Sequence, residues 1–134
     1  MSNGSCHKRS VLHHLVSVDI DVHVFSIERP VSLNQGQCRS SWFNISRLPP
    51  GHDEFDELAV TESVTLVENL ILSQVHSGID SRKIALVGFS QGAALSLLVS
   101  LTTLHELGGV ASLSGWIPRR ARDVSFDSAL VCHI

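Results

Sequence analysis

Apolar and polar residues alternate strictly between Val16 and Val24, with Val16, Val18, Ile20, Val22 and Val24 set against Ser17, Asp19, Asp21 and His23. A period of two belongs to a strand with one wet face, so the pattern predicts a short or edge strand, ended by Pro30. The polar run from Asn34 to Ser41, with Gly36 inside it, reads as a loop. Trp42 and Phe43 then interrupt polar surroundings as an exposed-looking aromatic pair, before Pro49-Pro50-Gly51 breaks the chain. Beyond Asp53 and Asp56 the period changes. Val60, Val64, Val67, Leu70, Ile71 and Val75 recur at helical spacing, which predicts an amphipathic helix with Gly78 as its C-cap.

Ile84 to Phe89 is a continuous apolar run of strand length, expected for a strand covered on both faces. The helix that follows carries Ala94, Leu95, Leu97, Leu98, Val99, Leu101 and Leu104 nearly all the way round, so it should be buried, with Gly108-Gly109 as its stop. Val110 to Leu113 and Ala129 to Cys132 complete the set of strand candidates. Ile84 to Leu104 is uncharged and long enough to span a bilayer, but three Ser, two Thr, Gln91 and two Gly fall inside it, so stable membrane insertion is not expected. Strand, helix, strand, helix, strand is the order of crossovers in a parallel sheet, and the class is α/β, a mostly parallel sheet flanked by helices.

Composition narrows the function. The 134 residues fit one domain, and 43% hydrophobic content is enough for a core. Ten Lys and Arg against thirteen Asp and Glu leave no basic field for nucleic acid or an anionic membrane surface. Cys6, Cys38 and Cys132 are widely separated and suggest neither a disulfide framework nor a zinc site, which favours a reducing, intracellular compartment. No signal peptide, metal-ligand set or cofactor motif is visible.

The chemistry lies in Gly88-Phe89-Ser90-Gln91-Gly92, a nucleophile-elbow pattern placed between the buried strand and the buried helix. A sharp strand-to-helix turn strains the nucleophile's backbone, and side chains at Gly88 and Gly92 would collide with neighbouring elements. Ser90 then sits at a helix N-terminus, where the N–H of Gln91 can stabilise a developing oxyanion.

From here the chain resembles a family. Arg29-Pro-Val-Ser-Leu-Asn34, Ser41-Trp-Phe-Asn-Ile45, Ser77-Gly-Ile-Asp80, Gly88-Phe-Ser-Gln-Gly-Ala-Ala-Leu-Ser-Leu97 and Leu113-Ser-Gly-Trp-Ile-Pro118 resemble, in order and spacing, the acyl-protein thioesterases of the phospholipase/carboxylesterase branch of the α/β-hydrolases. The likeness covers residues 23–134, a partial α/β-hydrolase domain, and leaves 1–22 as a divergent N-terminal segment. It implies a cytoplasmic enzyme, also found in the nucleus, that cleaves palmitoyl thioesters on S-acylated proteins, or lysophospholipid and small esters, through an acyl-Ser90 intermediate without a cofactor. It also implies that Trp42 and Phe43 lie near the groove that binds the acyl chain.

The resemblance is incomplete at both ends. The family's acid would follow a strand like Ala129-Leu-Val-Cys-His133, and its catalytic histidine later still, whereas the chain stops at Ile134. Asp123 and Asp127 read as solvated loop residues, and His133 resembles the histidine that precedes the family's acid rather than the triad base. The family's His-Gly-x-Gly-Asp-like loop, which supplies a second oxyanion N–H, has no counterpart before Val22. A catalytically incomplete fragment lacking the triad Asp and His is therefore the alternative expectation.

Overall fold

The computed structural model describes residues 12–17, 21–50, 56–116 and 131–133. Strands β1 (Leu12–Ser17) and β2 (Asp21–Phe25) are followed by β3 (Glu28–Val31), β4 (Gln37–Ser40), helix α1 (Glu57–His76), strand β5 (Ile84–Phe89), helix α2 (Gln91–Thr102) and strands β6 (Gly109–Leu113) and β7 (Val131–His133). For β1, β2 and β7 only the backbone pairing is described.

The main sheet has the order β2-β1-β5-β6-β7. It is mixed: β5, β6 and β7 run parallel, while β1 is antiparallel to both β2 and β5. The alternation from Val16 to Val24 therefore belongs to two strands, not one. Register pairs Leu15 with Val22 and Val16 with Asp21, a valine opposite an aspartate, because parity survives the reversal in sequence but not in space.

The expected loop after Pro30 is also a hairpin. β3 and β4 pair antiparallel with Pro30 opposite Cys38. In a two-stranded ribbon each strand has a free edge, where the N–H that proline lacks is not missed. Gln35 and Gly36, at φ 56° and 73°, make the reversal. Cys38 is disulfide-bonded, which the wide spacing of the three cysteines did not suggest.

Helix α1 forms where the stripe placed it. Asp56 caps it by accepting a bond from the Ala59 N–H, and Val60, Val67 and Ile71 are buried. At the other end Ser77 is the C-cap and Gly78 follows at φ 101°. The Ile79 N–H reaches the Gln74 carbonyl and the Gly78 N–H the Val75 carbonyl, the paired bonds of a Schellman ending. Asp53 lies outside the described residues.

Helix α2 is buried nearly all round, through Gly92 to Leu95 and Leu97 to Val99. It stops at Thr102, before Gly108 and Gly109, and Leu104 is fully exposed. Gly108 serves another purpose, since a Cβ there would stand 2.4 Å from the Arg82 carbonyl oxygen. The core lies between the two helices and one face of the sheet, with Ile71, Ile84, Leu86 and Val99 fully buried; each contributes roughly 1.5–3 kcal/mol.

The second face of β5 departs from expectation. Ile84, Leu86 and Gly88 are buried against the helices, but Ala85 and Val87 are only half-buried and Phe89 is 61% exposed. No helix among the described residues covers that side, and none is long and apolar enough to cross a membrane.

Candidate active site

Ser90 stands between the last residue of β5 and the first of α2, half-buried, as the N-cap of the helix. Its backbone is at φ 51°, ψ −116°, a conformation that costs a non-glycine residue about 1–3 kcal/mol and persists only where neighbours over-determine it. They do so here. The Ser90 N–H donates to the Leu113 carbonyl on β6 at 2.8 Å, and its own carbonyl accepts from the Ala94 N–H at 3.1 Å.

The glycine before it is dictated by space. A Cβ on Gly88 would lie 2.2 Å from the Gly92 carbonyl oxygen and 2.6 Å from the Ala93 nitrogen. The strand and the helix it feeds are thus in backbone contact. Gly92 is buried at the same point. The Gln91 N–H, at the first helical position, lies outside the helix's own hydrogen-bond ladder and so is available to an anion next to Ser90.

The Ser90 hydroxyl makes no capping bond to its helix. Among the described residues no histidine or carboxylate is hydrogen-bonded to it. His105 and His76 lie at and beyond the far ends of the helices; Asp123 and Asp127 lie outside the described residues, and of His133 only the backbone pairing with Ser112 is described.

Trp42 and Phe43 are not the exposed pair that their polar neighbours suggested. They are 3% and 7% exposed and belong to the core cluster. The physical reason is that side chains from four places hold the backbone around them. Arg29 Nε donates to the Ser41 carbonyl at 3.0 Å, Ser63 Oγ to the Trp42 carbonyl at 2.5 Å, and Asp56 accepts from the Asn44 N–H at 3.0 Å. Gln91 supplies the rest. Its Oε1 accepts from the Trp42 N–H at 2.7 Å and shares, at 3.1 Å, the Ser41 Oγ proton that points more closely to the Phe43 carbonyl at 2.6 Å, while its Nε2 donates to the same carbonyl at 2.7 Å. Phe43 in turn meets the half-buried Trp116 edge to face, centroids 5.9 Å apart.

Residues 21–130 match the phospholipase/carboxylesterase family of α/β-hydrolases. The chain belongs to that family. Among its relatives, acyl-protein thioesterase 1 of Cryptococcus neoformans is 45% identical over 91 residues, which are 66% of this chain and 38% of that protein. Acyl-protein thioesterase 1 of Yarrowia lipolytica is 38% identical over 91 residues, 68% of this chain and 40% of that protein. The crystal structure of Arabidopsis thaliana SOBER1 superposes with a TM-score of 0.66 at 36% identity, covering 69% of this chain and 45% of that one. Zea mays acyl-protein thioesterase 2 gives 0.56 at 26% identity over 81% and 57%. This family member thus spans about two fifths of the length of the curated relatives it matches.

The site residues read from sequence fall together in part. Gly88, Ser90, Gln91 and Gly92 form one turn, and the Trp42-Phe43 segment touches it through Gln91. Sequence reasoning missed the side chains of Arg29, Ser63 and Gln91. For Gln91 the signal was present: a long polar side chain opening a helix whose next turn is wholly apolar must find partners indoors.

Proposed function

We propose that this chain is the nucleophile-bearing part of a serine hydrolase of the acyl-protein thioesterase type. Ser90 Oγ attacks the acyl carbonyl of an S-acylated protein, or of a lysophospholipid or small ester, the thiolate or alkoxide leaves, and water releases the acid from the acyl-Ser90 intermediate. The Gln91 N–H faces the oxyanion, and Gly88 and Gly92 permit the turn. No cofactor takes part. Buried as they are, Trp42 and Phe43 would support the acyl groove from beneath rather than line it openly. The observation that carries the reading is the strained backbone of Ser90 at the junction of β5 and α2.

The proton on Ser90 needs a base, and the described residues hydrogen-bond none to it. Loss of triad members typically costs a serine hydrolase about 10⁴-fold or more in rate, so the group that takes this proton governs how fast Ser90 turns over. The domain division, residues 1–22 as a divergent segment and 23–134 as the hydrolase portion, belongs to the same proposal. So does a cytoplasmic and nuclear location, which rests on the family and no longer on sparse cysteine use, given the bridge at Cys38.

A fluorophosphonate probe tests the reading. Covalent labelling of the wild type that disappears in Ser90→Ala supports a nucleophilic Ser90. A folded wild-type chain that takes no label sinks it and leaves the catalytically incomplete alternative.

A further inference from the structure

The Gln91 side chain puts both polar ends of its carboxamide on a single segment. Oε1 holds the Trp42 N–H and Ser41 Oγ, and Nε2 holds the Phe43 carbonyl. The segment lies 48 to 50 residues earlier in the chain, and the residue that grips it follows Ser90 directly. An ordinary surface glutamine is free to rotate, whereas this one is fixed at three points with both polar ends in use.

Fixing the side chain also fixes the residue. Gln91 is the first helical position of α2, and its N–H leaves the same Cα frame as the clamped carboxamide. The other anchors of the segment, Arg29, Ser63 and Asp56, come from β3, α1 and the α1 cap. None of these is hydrogen-bonded to the elbow. Gln91 is thus the described side chain that joins this anchored aromatic segment to the turn bearing Ser90.

We infer that Gln91 is a positioning residue for Ser90, its carboxamide coupling the Ser41–Phe43 segment to the first turn of the nucleophile helix so that the aromatic support and the oxyanion-facing N–H keep one relative position. The inference rests on the reading of Ser90 as nucleophile and adds a role that the backbone of Gln91 alone does not give it. Displacing the segment, by an acyl chain pressing on Phe43 or by loss of an anchor, should be felt at Ser90 through this side chain.

The test uses the full chain and two readouts. The first is the second-order rate of Ser90 labelling by a fluorophosphonate, in which the Oγ–P bond forms, the P–F bond breaks, fluoride leaves and the hydroxyl proton passes to buffer. The second is acrylamide quenching of the two tryptophans, Trp42 and Trp116, which needs no reactivity. Gln91→Met keeps the length of the side chain and removes the amide. It should raise quenching and slow labelling at least about tenfold, since small misplacements at a reacting centre carry costs of that order. Gln91→Glu keeps the acceptor for the Trp42 N–H, loses the donor to Phe43 and should fall between. Ser63→Ala, which leaves the residues of the elbow unchanged, should slow labelling in the wild-type background and have no further effect beside Gln91→Met; a merely structural role would give additive losses instead.

The outcomes separate. No labelling of the folded wild type overturns the nucleophile reading and this role with it. A labelled wild type with Gln91→Met equally fast, or with additive Ser63→Ala and Gln91→Met effects, overturns the positioning role alone. Unchanged quenching in Gln91→Met shows that the carboxamide does not hold the segment, and overturns it as well.

Discussion

The α-carbon of Gly88 and the carbonyl oxygen of Gly92 are so close that a single methyl on the former would stand 2.2 Å from the latter. The obstacle is main chain on both sides, so rotamer changes cannot relieve it. Gly88→Ala is therefore expected to destabilise the fold by at least about 3 kcal/mol, the upper end of what overpacking costs. Urea unfolding measures this; a loss below 1 kcal/mol would mean that β5 and α2 can part without consequence.

Asp56 performs two tasks with two oxygens. Oδ1 caps α1 through the Ala59 N–H and Oδ2 holds the Asn44 N–H. Asp56→Ala should cost about 2 kcal/mol, made up of a lost cap and a lost bond to a partly buried amide. Asp56→Asn has one acceptor oxygen and should cost about half as much. Equal losses for the two variants in thermal or urea unfolding would show that only one of the contacts counts.

Ser63 is a buried polar residue on an otherwise apolar helix face, 3% exposed, and it donates to the Trp42 carbonyl. Ser63→Ala improves the hydrophobic stripe yet takes away that donor, and the second effect is the larger. A loss of about 1–3 kcal/mol is expected. A variant as stable as the wild type would contradict the view that side chains hold the aromatic segment in the core.

Among the described residues, Asp80 is the carboxylate with a marked shift. The Arg82 side chain, followed by the Arg82 N–H, lowers its pKa from 3.8 to about 2, through bonds of 2.7, 3.0 and 3.1 Å. A depressed folded-state pKa adds stability that is complete above the unfolded value and fades as pH falls from about 4 towards 2. The group is exposed, so the effect should be slight. Carboxyl NMR titration of Arg82→Ala should move the Asp80 midpoint upward but not fully to 3.8, because the backbone bond survives. An unmoved midpoint would remove the arginine side chain as the cause.

Much of this could be read before any coordinates. The α1 stripe, the β5 run, the elbow and the apolar α2 are local patterns, and each satisfies a single period without outside help. Ser90 and its glycines followed from the turn they must make. What escaped depends on partners distant in sequence. Trp42 and Phe43 look exposed beside Ser41 and Asn44 because the groups that bury them, Ser63 and Gln91, come 20 to 50 residues later. The β3–β4 ribbon contradicts the usual meaning of Pro30, which holds for central strands and not for free edges. The β1–β2 reversal left no mark on an alternation that ran through it.

The polarity of β1 decides what surrounds the elbow. In open α/β sheets the groups that bind ligands gather at the carboxyl ends of parallel strands. The strand beside β5 runs the other way, with Ser17 level with Ile84 and Leu15 with Leu86. Its exit therefore lies about 20 Å from Ser90, six residues along β5 and one step beyond it, and its Leu12 end is the one level with the elbow. The elbow is thus flanked by the exit of a parallel strand, β6, on one side and by the entrance of an antiparallel one, β1, on the other, so the two approaches to Ser90 are built in opposite senses.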